Sequence, residues 1–498
     1  MVKKFLFCSL FCLVSVLNAQ VLKQTALQVE KFKGANGNSP NRAEIRGFGS
    51  DENNYYVYYG ITGTFGKFEA SFFVINKGLT NVKEFPLTKE KEDKFLWVQV
   101  LEEDLVILLA RDKKGEQRTQ IIKQAYAKTT GKLKKETVIA SFQKSKSEDW
   151  YFYSSTSPDK AKKGFVLLLA GKKNMVDSYY AAVLNQNCEV EWDATHNLEV
   201  SNVSFNVGDI AVTNQGDMYI AFNSYPQNEK TRDQNSYIDL IYLTDGTKEK
   251  MKFEVSYSGQ IRLKVLKNND IYLAGLFSSN NFVSIKIDGR NFNVLGSYEQ
   301  SLLGKEIKIG ESMSMTEYME SIADQRFIDV LELDNGNIGV VCERTRTIFA
   351  DYYFIKDCWT VTTVFVKGDD AAIESVSFMN KRQTTKSAIN TAYQTLHLSV
   401  FPFVYGDKVG YLFNDCFKRF SNPAKYKSDN YFRSANGDDA SIVLSTQASG
   451  DDQQLKALTG NTQPAKRLLR QILFQEDDRL ILLTRNKKAA YIETLSLP

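Results

Sequence analysis

Along this chain, apolar residues fall into short runs that come in pairs, with a polar turn between the members of each pair. Between Phe327 and Arg344 the sequence reads FIDVLELDNGNIGVVCER. Val330, Leu331 and Leu333 lead into Asp334-Asn335-Gly336, and Ile338 to Cys342 lead out. Asn-Gly between two apolar runs predicts a hairpin, because both residues tolerate the positive φ that tight turns require. The same unit recurs as FGSDENNYYVYYG, WVQVLEEDLVILLA, FYSSTSPDKAKKGFVLLLA, IAVTNQGDMYIAF, VLKNNDIYLAGLF, FPFVYGDKVGYLF and ILFQEDDRLILLT.

The turns of these units fall at Asn53, Asp104, Asp159, Gly216, Asn269, Gly336, Asp407 and Asp478, at intervals of 51, 55, 57, 53, 67, 71 and 71 residues. Behind most of them a second strand follows, as at Glu69–Asn76, Gln120–Ala127, Tyr179–Leu184, Tyr237–Leu243, Phe282–Ile287 and Val361–Val366. These segments are rich in Val, Ile, Tyr and Phe, which suit a half-buried pleated surface. Repeated groups of four short strands without intervening helices predict small sheets packed radially. The fold expected is therefore all-β, a single β-propeller of four-stranded blades, with eight blades favoured over seven. Runs such as Leu105–Ala110 and Phe165–Ala170 read as inner strands covered on both faces.

The chain ends fit one ring over residues 20–498. Leu468–Phe474, Leu480–Thr484 and Ala489–Leu495 supply only three strands for the last unit, so Val21–Phe32 is expected to add the fourth and close the circle. The longer late intervals hold insertions. Ser314-Met315-Thr316-Glu317 is a capping box, and Met315, Tyr318, Met319 and Ile322 follow on one helical face, which predicts a short helix near 315–325.

Residues 1–19 stand outside this pattern. Lys3 and Lys4 precede an apolar run, Phe5 to Leu17, and Ala19-Gln20 offers a small-residue cleavage point. That is the pattern of a secretory signal peptide, too short to span a bilayer, and no later stretch reads as a transmembrane segment. Export to the periplasm or beyond follows. Without that segment, 61 basic groups face 59 acidic ones. So even a balance argues against nucleic acid or an anionic membrane as partner. Lysine clusters such as Lys132 to Lys135 and Lys160 to Lys163 read as a coat on turns and edge strands. Cys188, Cys342, Cys358 and Cys416 remain; they read as packed thiols, with a Cys342–Cys358 bridge as the alternative. None has metal-ligand spacing and only His196 and His397 are present, so no metal and no cofactor is expected.

No catalytic signature appears. Ser256-Tyr257-Ser258-Gly259 lacks the first glycine of a nucleophile elbow, and Ser157-Pro158-Asp159 continues without the glycine and tryptophan of a sialidase-type turn. The Gly-Asp-Asp triplets at 368–370, 437–439 and 450–452 lack the alternating carboxylates of a calcium loop.

Three segments carry a resemblance. Glu343 ends one apolar run, Lys381-Arg382-Gln383 follows, and then Leu412-Phe413-Asn414-Asp415. Over about residues 343–423 the chain resembles an uncharacterised family of exported β-propeller proteins from the Bacteroidetes, departing from it at Met379-Asn380, where that family leads one to expect Ile-Pro. Glu343, Arg344, Asn414 and Asp415 close apolar strands, where a propeller presents groups to its channel, and are the candidate ligand-binding residues. Asn and Asp at such positions also cap local backbone. No catalytic residue is assigned. A non-enzymatic binding or scaffold protein of the cell envelope is the leading expectation, with an envelope protein or a glycan as partner. The alternative is a protein that binds or cleaves carbohydrate at the channel mouth, for which Glu343 and Asp415 must face each other in an open pocket.

Overall fold

Each pair of apolar runs folds as an antiparallel hairpin around its polar turn. In a computed structural model, Gly336 takes φ +83° and Gly336 N–H donates to Leu333 C=O, so the Asn-Gly turn closes as its sequence dictates. The description covers residues 23–27, 42–62, 68–87, 93–113, 118–143, 151–170, 176–197, 203–226, 236–255, 259–277, 281–301, 325–350, 353–388, 399–416, 432–433, 440–450, 454–457, 468–476, 479–485 and 490–497. The helix expected near 315–325 lies outside these residues, as do Gly437-Asp438-Asp439 and the pattern at 1–19.

The strands form eight sheets of four antiparallel strands, one with a short fifth strand added, and the protein is an eight-bladed β-propeller. Blades 1 to 5 span residues 42–86, 93–143, 151–197, 203–255 and 259–301; blade 6 spans 325–388, blade 7 spans 400–457 and blade 8 spans 468–496. Lys23–Leu27 adds to the third strand of blade 8 with Lys23 opposite Thr494 and Leu27 opposite Ala490, so residues 23–27 share one sheet with residues 468–496. Blade 6 is exceptional. Its second, third and fourth strands, Ile338–Ala350, Tyr353–Val366 and Ile373–Ala388, are 13, 14 and 16 residues long, and Phe432–Arg433 joins them as a parallel fifth strand.

The core is a set of eight apolar clusters, one in each seam between neighbouring blades. Tyr55 to Tyr59 shows how the sequence builds them. Tyr55, Val57 and Tyr59 pack toward blade 8, while Tyr56 and Tyr58 pack toward blade 2. Period-two alternation with both faces covered makes an unbroken apolar run. Such runs are the second strands of the blades, not the innermost ones. Innermost strands contact one another around the hub and carry mixed sequences such as Gly259–Val265, GQIRLKV. Leu105–Ala110 and Phe165–Ala170, expected as inner strands, thus lie one strand out from the hub. Being covered on both faces by neighbouring blades, rather than lying nearest the axis, is what makes a strand apolar.

The disc has two unlike faces. On one, which we call the turn face, lie the turns between the first and second strands of each blade and, in blades 1 to 7, those between the third and fourth. A bond between turns or turn-proximal side chains crosses every seam there. Lys128 Nζ reaches Asp51 at 2.7 Å, Lys123 Nζ reaches Asn187 C=O at 2.6 Å, and Asp159 N–H reaches Asn214 Oδ1 at 3.1 Å. Asn214 N–H donates to Asn269 Oδ1, Lys267 N–H to Glu332, Asp334 N–H to Gly406 C=O, and Gln475 to Val404 C=O; Lys77 Nζ pairs with Glu476 at 2.9 Å. The opposite, loop face carries the connections between blades and the candidate residues.

Candidate functional site

Glu343 lies midway along the second strand of blade 6, beside a bulge, paired with Val361 on one side and Arg326 on the other. Its side chain has no solvent exposure. Lys381 Nζ, equally buried, sits 2.5 Å from Oε1, while Arg326 Nη2 at 2.8 Å and Ser399 Oγ at 2.7 Å serve Oε2. Burial pushes the Glu343 carboxyl up, but Lys381 and Arg326 outweigh it and the net direction is down. Glu343 is therefore a held anion.

The polar chain spans the two seams between blades 6, 7 and 8. Lys381 Nζ donates to Gln383 Oε1 at 2.6 Å, and that oxygen also accepts the Ser399 N–H at 2.9 Å. Gln383 Nε2 donates to Asn414 C=O at 2.6 Å. Asn414 in turn clasps blade 8: its Nδ2 donates to Leu469 C=O at 2.8 Å, and its Oδ1 accepts Leu469 N–H at 2.7 Å. Residues separated by more than a hundred positions thus join blades 6, 7 and 8 in one buried network.

Clasps of the same form occur elsewhere on this face. Asn223, on the second strand of blade 4, donates to Gly259 C=O at the start of blade 5. Gln260 of blade 5 donates to Gln325 C=O and accepts Phe327 N–H at the start of blade 6. A polar side chain near the loop-face end of one blade satisfies the opening backbone of the next, which would otherwise be buried without partners. Gln383, whose Oε1 accepts Ser399 N–H, and Asn414 are the blade 6 and blade 7 versions.

Of the four candidates, Glu343, Arg344, Asn414 and Asp415 are 0, 3, 0 and 2% exposed. The structure brings Glu343 and Asn414 into one network and places Arg344 and Asp415 beside them, also sealed. They lie on second strands, one strand out from the hub, rather than at an open channel mouth. Two members of the resemblance segment, Lys381 and Gln383, belong to this network, although the sequence offered them only as marks of that resemblance. Arg326 and Ser399 carried no sequence signal, since only the register opposite Glu343 and the seam with blade 7 bring them in.

One other expectation holds and another needs correction. Cys188, Cys342 and Cys358 are buried, packed thiols, and the alternative Cys342–Cys358 bridge does not form. Cys342 pairs with Thr362 and Cys358 with Thr345, so the two are offset by three to four residues along neighbouring strands. That offset is about 10 Å, beyond the reach of a disulfide. Lys163 does not coat a turn. It is 8% exposed, with its ammonium 3.2 Å from the Trp97 ring centroid and no carboxylate partner among the described residues. Burial is the main cause that brings its amine down to about 7. The Gly368-Asp369-Asp370 turn is an internal clasp, whose Gly368 and Asp369 carbonyls accept Lys286 Nζ. No group of three or more His, Cys, Asp or Glu side chains among the described residues is placed to hold a metal. No helix there is long and apolar enough to cross a membrane.

No protein-family model matches the chain, and no curated protein matches it. Solved structures similar to it include the β-propeller domain of the trilobed protease from Pyrococcus furiosus, 11% identical over 85% of this chain and 99% of that one, with TM-score 0.36. An ulvan-degrading polysaccharide lyase is 10% identical over 85% of this chain and 81% of its own, with TM-score 0.30. The WD40 domain of SCAP from fission yeast is 10% identical over 91% and 98%, with TM-score 0.32.

Proposed function

We propose that the chain is a non-enzymatic exported binding or scaffold protein of the cell envelope, whose working surface is the loop face over blade 6. The observation that carries this reading is the extension of blade 6. Its second, third and fourth strands have 13, 14 and 16 residues and run on past Glu343 to Ala350 and Tyr353, whereas the second strand of blade 7, Lys408–Cys416, has nine. The buried Glu343–Lys381 network fixes the root of that extension to blades 7 and 8. A projecting ribbon on a rigid base offers a partner a surface that loses little freedom on binding. The pattern of residues 1–19 supports export, and the even charge balance supports a protein or glycan partner. A carboxylate pair for glycoside cleavage has to stand open to substrate, whereas Glu343 and Asp415 are sealed.

The test uses two baits against envelope extract of the source organism. One is the chain from Gln20; the other has residues 347–356 replaced by Asn-Gly, so that Arg346 and Asp357 flank a tight turn. A stoichiometric protein held by the first bait and lost from the second supports the reading. Capture that survives the shortening moves the working surface elsewhere. Recovery of polysaccharide without protein favours the carbohydrate alternative.

A further inference from the structure

A cleft of about 640 Å³ opens on the turn face between blades 1 and 2, around the Lys128–Asp51 pair and away from the candidate residues of the loop face. Its size falls within the few hundred to a thousand Å³ typical of small-molecule sites. Its floor is fixed and fully engaged. Lys128, whose side chain is 9% exposed, reaches Asp51 at 2.7 Å, Glu102 C=O at 2.9 Å and Leu101 C=O at 3.1 Å, and lies 5.0 Å from the Tyr56 ring centroid. Asp51 also accepts the Tyr56 hydroxyl at 2.5 Å and the backbone N–H groups of Asn53 and Asn54. Burial pushes the Asp51 carboxyl up, but Lys128 and the other donors overcome it and hold it well below the usual range. This floor bridges the seam and presents no unspent charge.

The rim is different. The side chains of Asn81, Lys83, Glu102 and Thr129 line the cleft, yet make no hydrogen bond or ion pair among the described residues. They offer an amide, an ammonium, a carboxylate and a hydroxyl around one opening, a mixture of donors and acceptors. Phe85 supplies an apolar wall. Its ring rests on the backbone of Gly131, where a Cβ would fall 2.5 Å from the ring, and Gly131 has the left-handed φ of +66° that its turn demands. Only glycine meets both conditions, so the ring position is built into the turn. Lining charges balance, with Asp51, Glu102 and Glu103 against Lys83, Lys128 and Lys134.

We propose that this cleft is a binding site for a short neutral oligosaccharide. A polyhydroxylated ligand uses donors and acceptors in equal measure and has apolar ring faces for an aromatic wall. A net-neutral site gives no preference to a polyanion. The proposal is independent of blade 6 and of the loop face.

The experiment titrates the chain from Gln20 with neutral gluco-, manno- and galacto-oligosaccharides, using ligand-observed NMR and calorimetry, with an oligouronate and a lysine-rich peptide as controls. At least one neutral sugar should bind saturably, and both Phe85→Ala and Asn81→Ala should weaken it about tenfold or more. Asn81 is exposed and its side chain makes no hydrogen bond or ion pair among the described residues, so its variant separates lost binding from lost folding. Lack of binding by every neutral sugar up to about 10 mM overturns the proposal. So does binding that survives both substitutions, or binding of the controls alone.

Discussion

Asn214 and Asn414 each carry a side-chain amide across a seam to the neighbouring blade, but on opposite faces of the disc. Asn214 works on the turn face, partly exposed, and accepts a single N–H at 3.1 Å. Asn414 is fully buried on the loop face and holds both the N–H and the C=O of Leu469. Water can replace the first bond if it breaks, whereas it cannot reach the second. Loss of a buried partner therefore charges the full desolvation of the groups left behind. The turn face is stitched by many small, replaceable bonds, and the loop face between blades 6 and 8 by a few that have no substitute.

That contrast can be broken most forcefully at the ion pair. Lys381→Met leaves Glu343 buried with only Arg326 and Ser399, and should destabilise the protein by about 3–5 kcal/mol. Adding Glu343→Leu should recover most of the loss, since removing both charges also removes the buried anion. Urea midpoints for the wild type, single and double variants measure this; a single variant within error of wild type would falsify the buried-network account.

Next in size, Asn414→Ala should lower stability by about 2 kcal/mol, because Leu469 keeps two unpaired backbone groups. An unchanged urea midpoint together with lost partner capture would instead make Asn414 a ligand contact.

Lys163 tests the seam between blades 2 and 3. In the folded state its amine holds a proton only below about 7, while in the unfolded chain it does so to about 10.4. Between those values the unfolded state binds the extra proton, so stability should rise with pH, by at most about 1.4 kcal/mol per unit. Lys163→Met should remove that slope. Parallel wild-type and variant curves from about pH 6 to about pH 10 would show that the buried amine keeps its proton.

Smallest of all, Asn214→Ala on the turn face should cost about 0.5 kcal/mol. A loss as large as that from Asn414→Ala would erase the difference between the faces.

Much of this molecule was legible from its pattern. Asn335-Gly336 and its seven counterparts marked every turn between first and second strands, because turn chemistry is local and strand burial imposes strict alternation. The eight blades follow from those turns. The site was legible only in outline. Glu343 and Asn414 stood out as polar residues closing apolar runs, but what they touch depends on register and on the next blade. Glu343 meets Lys381 only because a bulged hairpin and a third strand bring them level, and nothing local encodes that. Lys163 was hidden by its company. Lys160 is exposed and Lys162 is half-exposed, so a run of lysines looked uniformly solvated, while the strand that starts at Lys163 turns it inward onto Trp97.

The pairing of Lys23–Leu27 with the last strand gives the chain a direction in time. A polypeptide made from its N terminus, and threaded from that end through any membrane, carries its first strand unpaired until the last one emerges. Seven blades can assemble as they appear, but the eighth waits for residues at the far end of the sequence. Closing so long a loop adds little to the equilibrium cost, which grows only logarithmically, but it slows the final step. Until then both partners are open edges, available to any passing strand. Trimming the last strand should consequently leave an open, sticky ring, and a chaperone that shields the first strand would act on this protein at its most vulnerable moment.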